Sequence, residues 1–320
     1  MRIVFLTPLA ALVAFAVALP LGAAVVRERR DGRIRRALGL GAPGRATRFG
    51  STIAAAGLIA CLAAAAAQPA VRIAQPLPAR TDAQMFFVLD VSRSMGAAAA
   101  KRAPDRLDRA KLVALRMRRS LRSVPAGIAS LTDRVLPHLF PTADERVFAS
   151  TLRRSIGIGR PASGTPAAER STDIQALQML QTGYFGPVRR RLAVVLTDGE
   201  SNPFVTASLF ALLDSGHVDL LVVRVWGARE AIYRPDGKRD PGYRPDPAST
   251  AHLGALSPHL VGGRIFDERS AGAAAAAAKR YFGHGPIVAQ DRSERTLKLG
   301  QYAALAAALP LLFLLRRNRG

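Results

Sequence analysis

The chain has 320 residues, with 46 lysines and arginines against 23 aspartates and glutamates, for a formal net charge of +23. Its single cysteine, Cys61, excludes an intramolecular disulfide, so the fold must rest on its core and any bound metal. The basic excess raises nucleic-acid binding, but no aromatic-rich basic strand of the single-strand-binding kind accompanies it, and that class is set aside.

Taken in chain order, residues 3–26, 49–71 and 299–315 carry no charged side chain. A bilayer core accommodates about 20 apolar residues as a helix, so the expectation is three transmembrane helices, at 1–26, 49–71 and 299–315. A cleaved signal peptide is the alternative for the first. Arginine is concentrated in the loop 27–48, and the tail 316–320 is basic too. Short basic loops stay in the cytoplasm. The expected protein is therefore multi-pass in the cell membrane, with its central part extracytoplasmic and its C-terminus inside. "GLGAPG" at Gly39 to Gly44 has the spacing of a phosphate loop but lacks the preceding strand and following helix that such a loop needs. The five histidines show no paired zinc-type spacing.

From residue 82 to 283, apolar runs at 85–90, 127–131, 192–197, 220–225 and 263–266 read as strands. Helical stretches at 104–123, 144–155, 172–182, 203–215, 249–257 and 271–282 alternate with them. That alternation predicts an α/β domain, a doubly wound and mostly parallel sheet with helices on both faces, followed by a linker at 284–298. "RLDRAKLVALRMRRSLR" reads as a helix with a solvated cationic face, or one attracted to anionic headgroups or envelope polymers. The stretch from Ala228 to Pro247 is long for a connection, and loops of more than about 12 to 15 residues tend to be functional or disordered.

Two strands end in oxygen-bearing side chains. "QMFFVLD" runs into Asp90-x-Ser92-x-Ser94, placing three oxygen groups on one tight loop. "RLAVVLTDGESN" ends at Thr197 and Asp198, with Gly199 for the turn. Ligands in open α/β sheets bind outside the carboxyl ends of the strands, where both motifs lie. In "ERSTDIQALQML", Ser171 or Thr172 opens a helix and offers a third hydroxyl. Carboxylate and hydroxyl oxygens suit a hard divalent cation.

Asp90-x-Ser92-x-Ser94, then Thr172, then Asp198 in "LTDGE" resembles the metal-ion-dependent adhesion site (MIDAS) of von Willebrand factor type A (vWA) domains. The layout of three apolar stretches is similar to that of the membrane-anchored bacterial aerotolerance-operon, or Bat-like, type. The resemblance implies Mg²⁺, with Ca²⁺ or Mn²⁺ as alternatives. It implies direct contacts from Ser92 and Ser94, and a direct or water-mediated contact from Thr172, preferred to Ser171 because "TDI" matches the family's Thr-x-Ile register. Asp90 and Asp198 would hold coordinated waters. It also implies an acidic protein ligand that completes the metal site, other vWA membrane proteins and a MoxR-type AAA+ ATPase as partners, and binding rather than catalysis. The alternatives are a metal-dependent hydrolase with Asp90 or Asp198 as base, and a passive membrane-complex anchor with a vestigial site.

Overall fold

Successive side chains of a strand point to opposite faces of its sheet, and "MFFVL" uses both faces. Met85, Phe87 and Leu89 join one buried cluster, while Phe86 and Val88 join another. Such a strand must be covered on both sides, which is the condition of a central parallel strand. The computed structural model describes residues 2–12, 22, 26, 29–30, 32–34, 37–38, 45–160, 162 and 172–317. These divide into two compact units, Pro76–Asp291 and Met1–Gln75 with Arg292–Gly320.

The unit Pro76–Asp291 contains a six-stranded sheet. Its strands are β1 (Ala83–Asp90), β2 (Ala126–Leu131), β3 (Val135–Thr142), β4 (Arg190–Thr197), β5 (Val218–Arg224) and β6 (Phe266–Asp267). Their spatial order is β3-β2-β1-β4-β5-β6. Only β3 runs antiparallel to its neighbour; the other pairings are parallel. The helices are α1 (Arg106–Ser120), α2 (Glu145–Ser155), α3 (Thr206–Ser215), α4 (Ser249–Gly254) and α5 (Ala271–Phe282). The apolar sides of α1, α2 and α5 pack with Met85, Phe87 and Leu89. On the other face, α3, α4 and a 3-10 helix at Ile174–Gln181 pack with Phe86 and Val88. The chain leaves β1 toward β2 on one side and later fills β4, β5 and β6 on the other. The strand order therefore reverses between β1 and β4, where open α/β sheets bind ligands.

The mostly parallel α/β sheet agrees with the sequence reading, and several boundaries differ from it. β3 escapes the hydrophobic pattern because Pro137 and Pro141 interrupt it, and proline is tolerated on an edge strand, which β3 is. The helix expected at 172–182 is a 3-10 helix from Ile174. The cationic face expected of α1 is only partly solvated, because Arg106 and Arg118 are buried. Arg118 Nη1 and Nη2 donate to the carbonyls of Leu121, Arg122 and Ala143, closing the C-terminus of α1.

The three expected transmembrane helices are not found: among the described residues, no helix is long and apolar enough to cross a membrane. In the first stretch, Arg2–Phe5 is a strand and Pro8–Leu12 a 3-10 helix, while residues 13–21 and 23–25 lie outside the described residues. In the second, the helix Arg45–Ala66 is rich in alanine, whose side chain offers little apolar surface, and the chain passes into the strand Pro69–Arg80. In the third, two short helices, Gly300–Ala306 and Ala308–Arg317, replace a continuous span. The multi-pass arrangement and its orientation depended on those spans and are withdrawn with them. The Gly39 to Gly44 motif and residues 318–320 lie outside the described residues. The strands Arg2–Phe5, Pro69–Arg80 and Ile287–Lys298 form a separate three-stranded sheet, so the stretch 284–298, read above as a linker, includes a strand.

Phe87 is fully buried and meets the Phe148 ring edge-to-face at 5.2 Å. Phe87→Ala should lower unfolding stability by about 3–5 kcal/mol, as large-to-small changes in a packed core do. Urea unfolding of the full chain, followed through its single tryptophan, Trp226, measures this. A loss below about 1 kcal/mol would contradict the central placement of β1.

Candidate metal centre

Asp90 is the last residue of β1 and is completely buried. Its Oδ1 accepts the Ser92 backbone N–H at 2.9 Å and the Thr172 hydroxyl at 2.6 Å. Its Oδ2 accepts the Thr197 hydroxyl at 2.6 Å. Among the described residues, no cationic side chain bonds to it. The loop beyond tightens into a 3-10 turn, Arg93–Gly96, which brings Ser92 Oγ to 3.0 Å from Ser94 Oγ. Thr172 is held by backbone on both sides: Asp173 N–H donates to Thr132 O and Asn202 N–H to Thr172 O, each at 2.8 Å. Ser171 lies outside the described residues.

Asp198 follows β4 directly and is also buried. Its Oδ1 accepts the Glu200 N–H at 2.9 Å, and its Oδ2 accepts Arg106 Nη1 at 2.7 Å. Gly199 makes the turn with φ of +82°, a region that favours glycine, and a Cβ there would fall 2.5 Å from Leu253. The five residues singled out in the sequence, Asp90, Ser92, Ser94, Thr172 and Asp198, thus lie at the carboxyl ends of β1 and β4 and the loops beside them.

Other side chains at the centre were not foreseen. Arg106, at the start of α1, is buried and also donates to Glu200 at 2.9 Å and Glu230 at 2.6 Å. Glu230 in turn accepts Arg109, which reaches Glu268. Glu200 accepts Trp226 Nε1 at 3.1 Å and the Tyr243 hydroxyl at 2.9 Å. Arg224 donates to the Asp198 carbonyl at 3.1 Å and lies over the Trp226 ring. Thr197 was visible beside Asp198 in "LTDGE". Arg106 gave no local signal, since it stands among many arginines of a basic helix.

The electrostatics follow from burial. Desolvation raises the Asp90 carboxyl, against the opposing hydrogen bonds from Thr172, Thr197 and Ser92. Asp198 is pushed up to about 7, first by burial and then by the Asp90 charge, with Arg106 opposing. Arg106 stays protonated: burial works against its charge, but Asp198 and Glu230 more than compensate.

Three observations test the fit of a hard divalent cation. Adjacent vertices of a magnesium octahedron lie about 2.9 Å apart, from metal–oxygen distances of about 2.0–2.1 Å, and the Ser92 and Ser94 hydroxyl oxygens are 3.0 Å apart. Asp90 is a buried carboxylate supported only by neutral donors, a state that a nearby cation relieves. Arg106 Nη2 is buried without an acceptor, and a water oxygen beside an ion would satisfy it. The donor set fits. Among the described residues, no group of three or more His, Cys, Asp and Glu side chains could hold a metal, so the candidate is a hydroxyl-and-carboxylate centre and not a His/Cys cage.

No family model matches the chain, and no curated protein matches it. Among solved structures it is similar to BatB from Bacteroides thetaiotaomicron, at 20% identity over 62% of this chain and 98% of that one, with a TM-score of 0.49. It is similar to an aerotolerance-related membrane protein from Bacteroides fragilis at 21% identity, over 62% and 98%, with a TM-score of 0.48. Similarity to the manganese-loaded TRAP protein of Plasmodium vivax is lower, at 13% identity over 72% and 82%, with a TM-score of 0.41.

Raised carboxyl pKa values favour the protonated centre. Without a divalent ion, the Asp198 contribution to stability is fully present below its ordinary value of 3.8 and is lost as pH rises through about 7. In EDTA, the melting temperature of the full chain should fall between about pH 4 and about pH 7, and Mg²⁺ should restore it at the higher pH. Asp90→Asn removes the neighbouring charge and should flatten that fall. A fall unchanged by this substitution would show that the pH dependence arises elsewhere.

Proposed function

We propose that the chain is a vWA-type binding module whose centre holds one divalent cation, Mg²⁺ first, and uses it to capture a carboxylate of a protein partner. The observation that carries this is the pairing of two buried carboxylates with three hydroxyls at the strand-order reversal, one carboxylate having no cationic partner among the described residues. Ser92 and Ser94 would be direct ligands, and Thr172 a direct or water-mediated one. Asp90 and Asp198 would orient coordinated waters and supply negative charge. When bound, the ion supplies a positive, oxygen-seeking point at the sheet edge. A single ion with neutral hydroxyl ligands would be a modest activator of water, which favours binding over hydrolysis. Other vWA chains and a MoxR-type ATPase are the partner classes to test by co-purification.

Membrane association is the second part of the reading, and it calls on no span among the described residues. Leu305, Leu309, Leu312, Phe313 and Leu315 are exposed near the C-terminus, with Arg316 beside them. Such a set suits shallow insertion at a headgroup boundary. The full chain should co-sediment with anionic vesicles, and Leu309→Ser with Phe313→Ser should reduce the bound fraction. Equal sedimentation of the variant would refute this attachment.

Calorimetric titration of the full chain with Mg²⁺ tests the centre. Asp90→Ala should abolish binding with the fold retained, and Ser92→Ala should weaken it by roughly 10- to 100-fold, the scale of lost metal-site groups. Binding of Asp90→Ala as tight as wild type would remove the assignment.

A further inference from the structure

We infer that the segment between β5 and α4, together with the loop after Ser94, forms a cationic rim that selects a partner segment carrying several carboxylates in succession. The single carboxylate that a metal needs would be only its inner anchor, and in that respect the inference rests on the reading of the centre given above.

The segment is built as a fixed structure. Ala98 and Ala231 exchange both backbone hydrogen bonds, at 3.0 Å each, joining it to the loop after Ser94. A tight turn follows, with Arg234 N–H donating to Lys238 O at 2.9 Å and Gly237 N–H to Arg234 O at 2.8 Å, and Gly237 takes a φ of +82°. Tyr233 pairs with Arg239 across the turn. Two side chains then tie the segment to the centre. The Asp240 carboxylate forms an ion pair with Arg93, the residue between Ser92 and Ser94. The Tyr243 hydroxyl donates to Glu200, two residues beyond Asp198.

Its charges are sorted by exposure and pairing. Of the acids, Glu230 is buried on Arg106 and Arg109, and Asp240 is held by Arg93 and Arg234. Lys101, Arg102, Arg229, Lys238, Arg239 and Arg244 are exposed, and no ion pair involves any of them among the described residues. Asp236 is the exposed acid that opposes them, and its Oδ1 accepts the Lys238 N–H. An arginine fork matches a carboxylate in geometry as well as charge. A glutamate or aspartate side chain would bring a single carboxylate to the ion itself, and the groups that would hold the ion, Asp90, Ser92, Ser94, Thr172 and Asp198, are buried. A plane of lipid headgroups would meet the exposed cations without reaching those buried groups. The chemistry therefore fits an acidic peptide segment of a protein, with one carboxylate at the centre and its neighbours on the rim.

Single exposed ion pairs contribute little, so the test removes several together. Binding of a fluorescent aspartate- and glutamate-rich peptide to the full chain in Mg²⁺ is compared with that of an equally long peptide bearing one glutamate. The acidic peptide should bind roughly tenfold more tightly, with a preference that shrinks at high salt. Arg229→Gln/Arg239→Gln/Arg244→Gln should abolish the preference while leaving calorimetric Mg²⁺ affinity unchanged. Asp236→Asn, which removes an opposing charge without touching the centre, should increase the preference. Equal binding of the acidic peptide to the triple variant and wild type overturns the rim, as does full displacement of the peptide by anionic vesicles, which would make the surface a lipid site. If Mg²⁺ does not bind the wild type but the triple variant still loses the acidic peptide, the rim stands and the metal reading falls.

Discussion

The constraint on which the rest of this structure depends is the burial of two carboxylates at the carboxyl ends of adjacent parallel strands. Taking an isolated ionised carboxylate out of water is strongly unfavourable unless it is paired or hydrogen-bonded. Asp90 and Asp198 also raise each other's cost by proximity. The fold answers each in a different way. Around Asp90 it converges neutral donors from three separate pieces of chain: the amide of Ser92, the hydroxyl of Thr172 and the hydroxyl of Thr197. Against Asp198 it places a full positive charge from the first residue of α1. That arginine must itself be satisfied, which draws in Glu200 and Glu230, and through them Arg109, Trp226 and Tyr243. The arrangement of the loops follows from neutralising two buried acids.

The legible parts of the site are those whose signal is local. Asp90, Ser92 and Ser94 fall within five consecutive residues at the end of an apolar run, and Asp198 stands at the end of another. The alternation of strands and helices then places both ends on one edge, because parallel strands share a direction. Arg106 was not legible, because a basic helix in a chain of +23 net charge presents many arginines of the same appearance. Only the tertiary fold shows which of them faces acids instead of water. β3 was hidden for another reason: Pro137 and Pro141 break the run that marks a strand, and an edge position tolerates them. The transmembrane reading relied on the absence of charge, and that criterion treats alanine like leucine. A run without charges can be divided among a strand, a turn and short helices, as the stretch 299–315 is between two helices.

The ion-pair network has a consequence for how the centre would take a ligand. Asp90 is held through both carboxylate oxygens and so is Asp198, in each case by groups of the protein itself. Side chains fixed by their neighbours lose little further freedom when a ligand arrives, so the ordering cost falls on folding and not on binding. The loop beyond β5 shares this property. Its ties run to Arg93 and Glu200, each next to or two residues from a proposed ligand, and not to distant surface. A displacement of Asp240 would disturb Arg93, and one of Tyr243 would disturb Glu200 and through Arg106 would reach Asp198. The centre and the loop are thus joined by short chains of hydrogen bonds through Asp240, Tyr243 and Glu230, while the exposed cations of the loop stand outside those chains. Such coupling requires the two to be positioned together, and the buried arginine at the start of α1 is the group through which both are held.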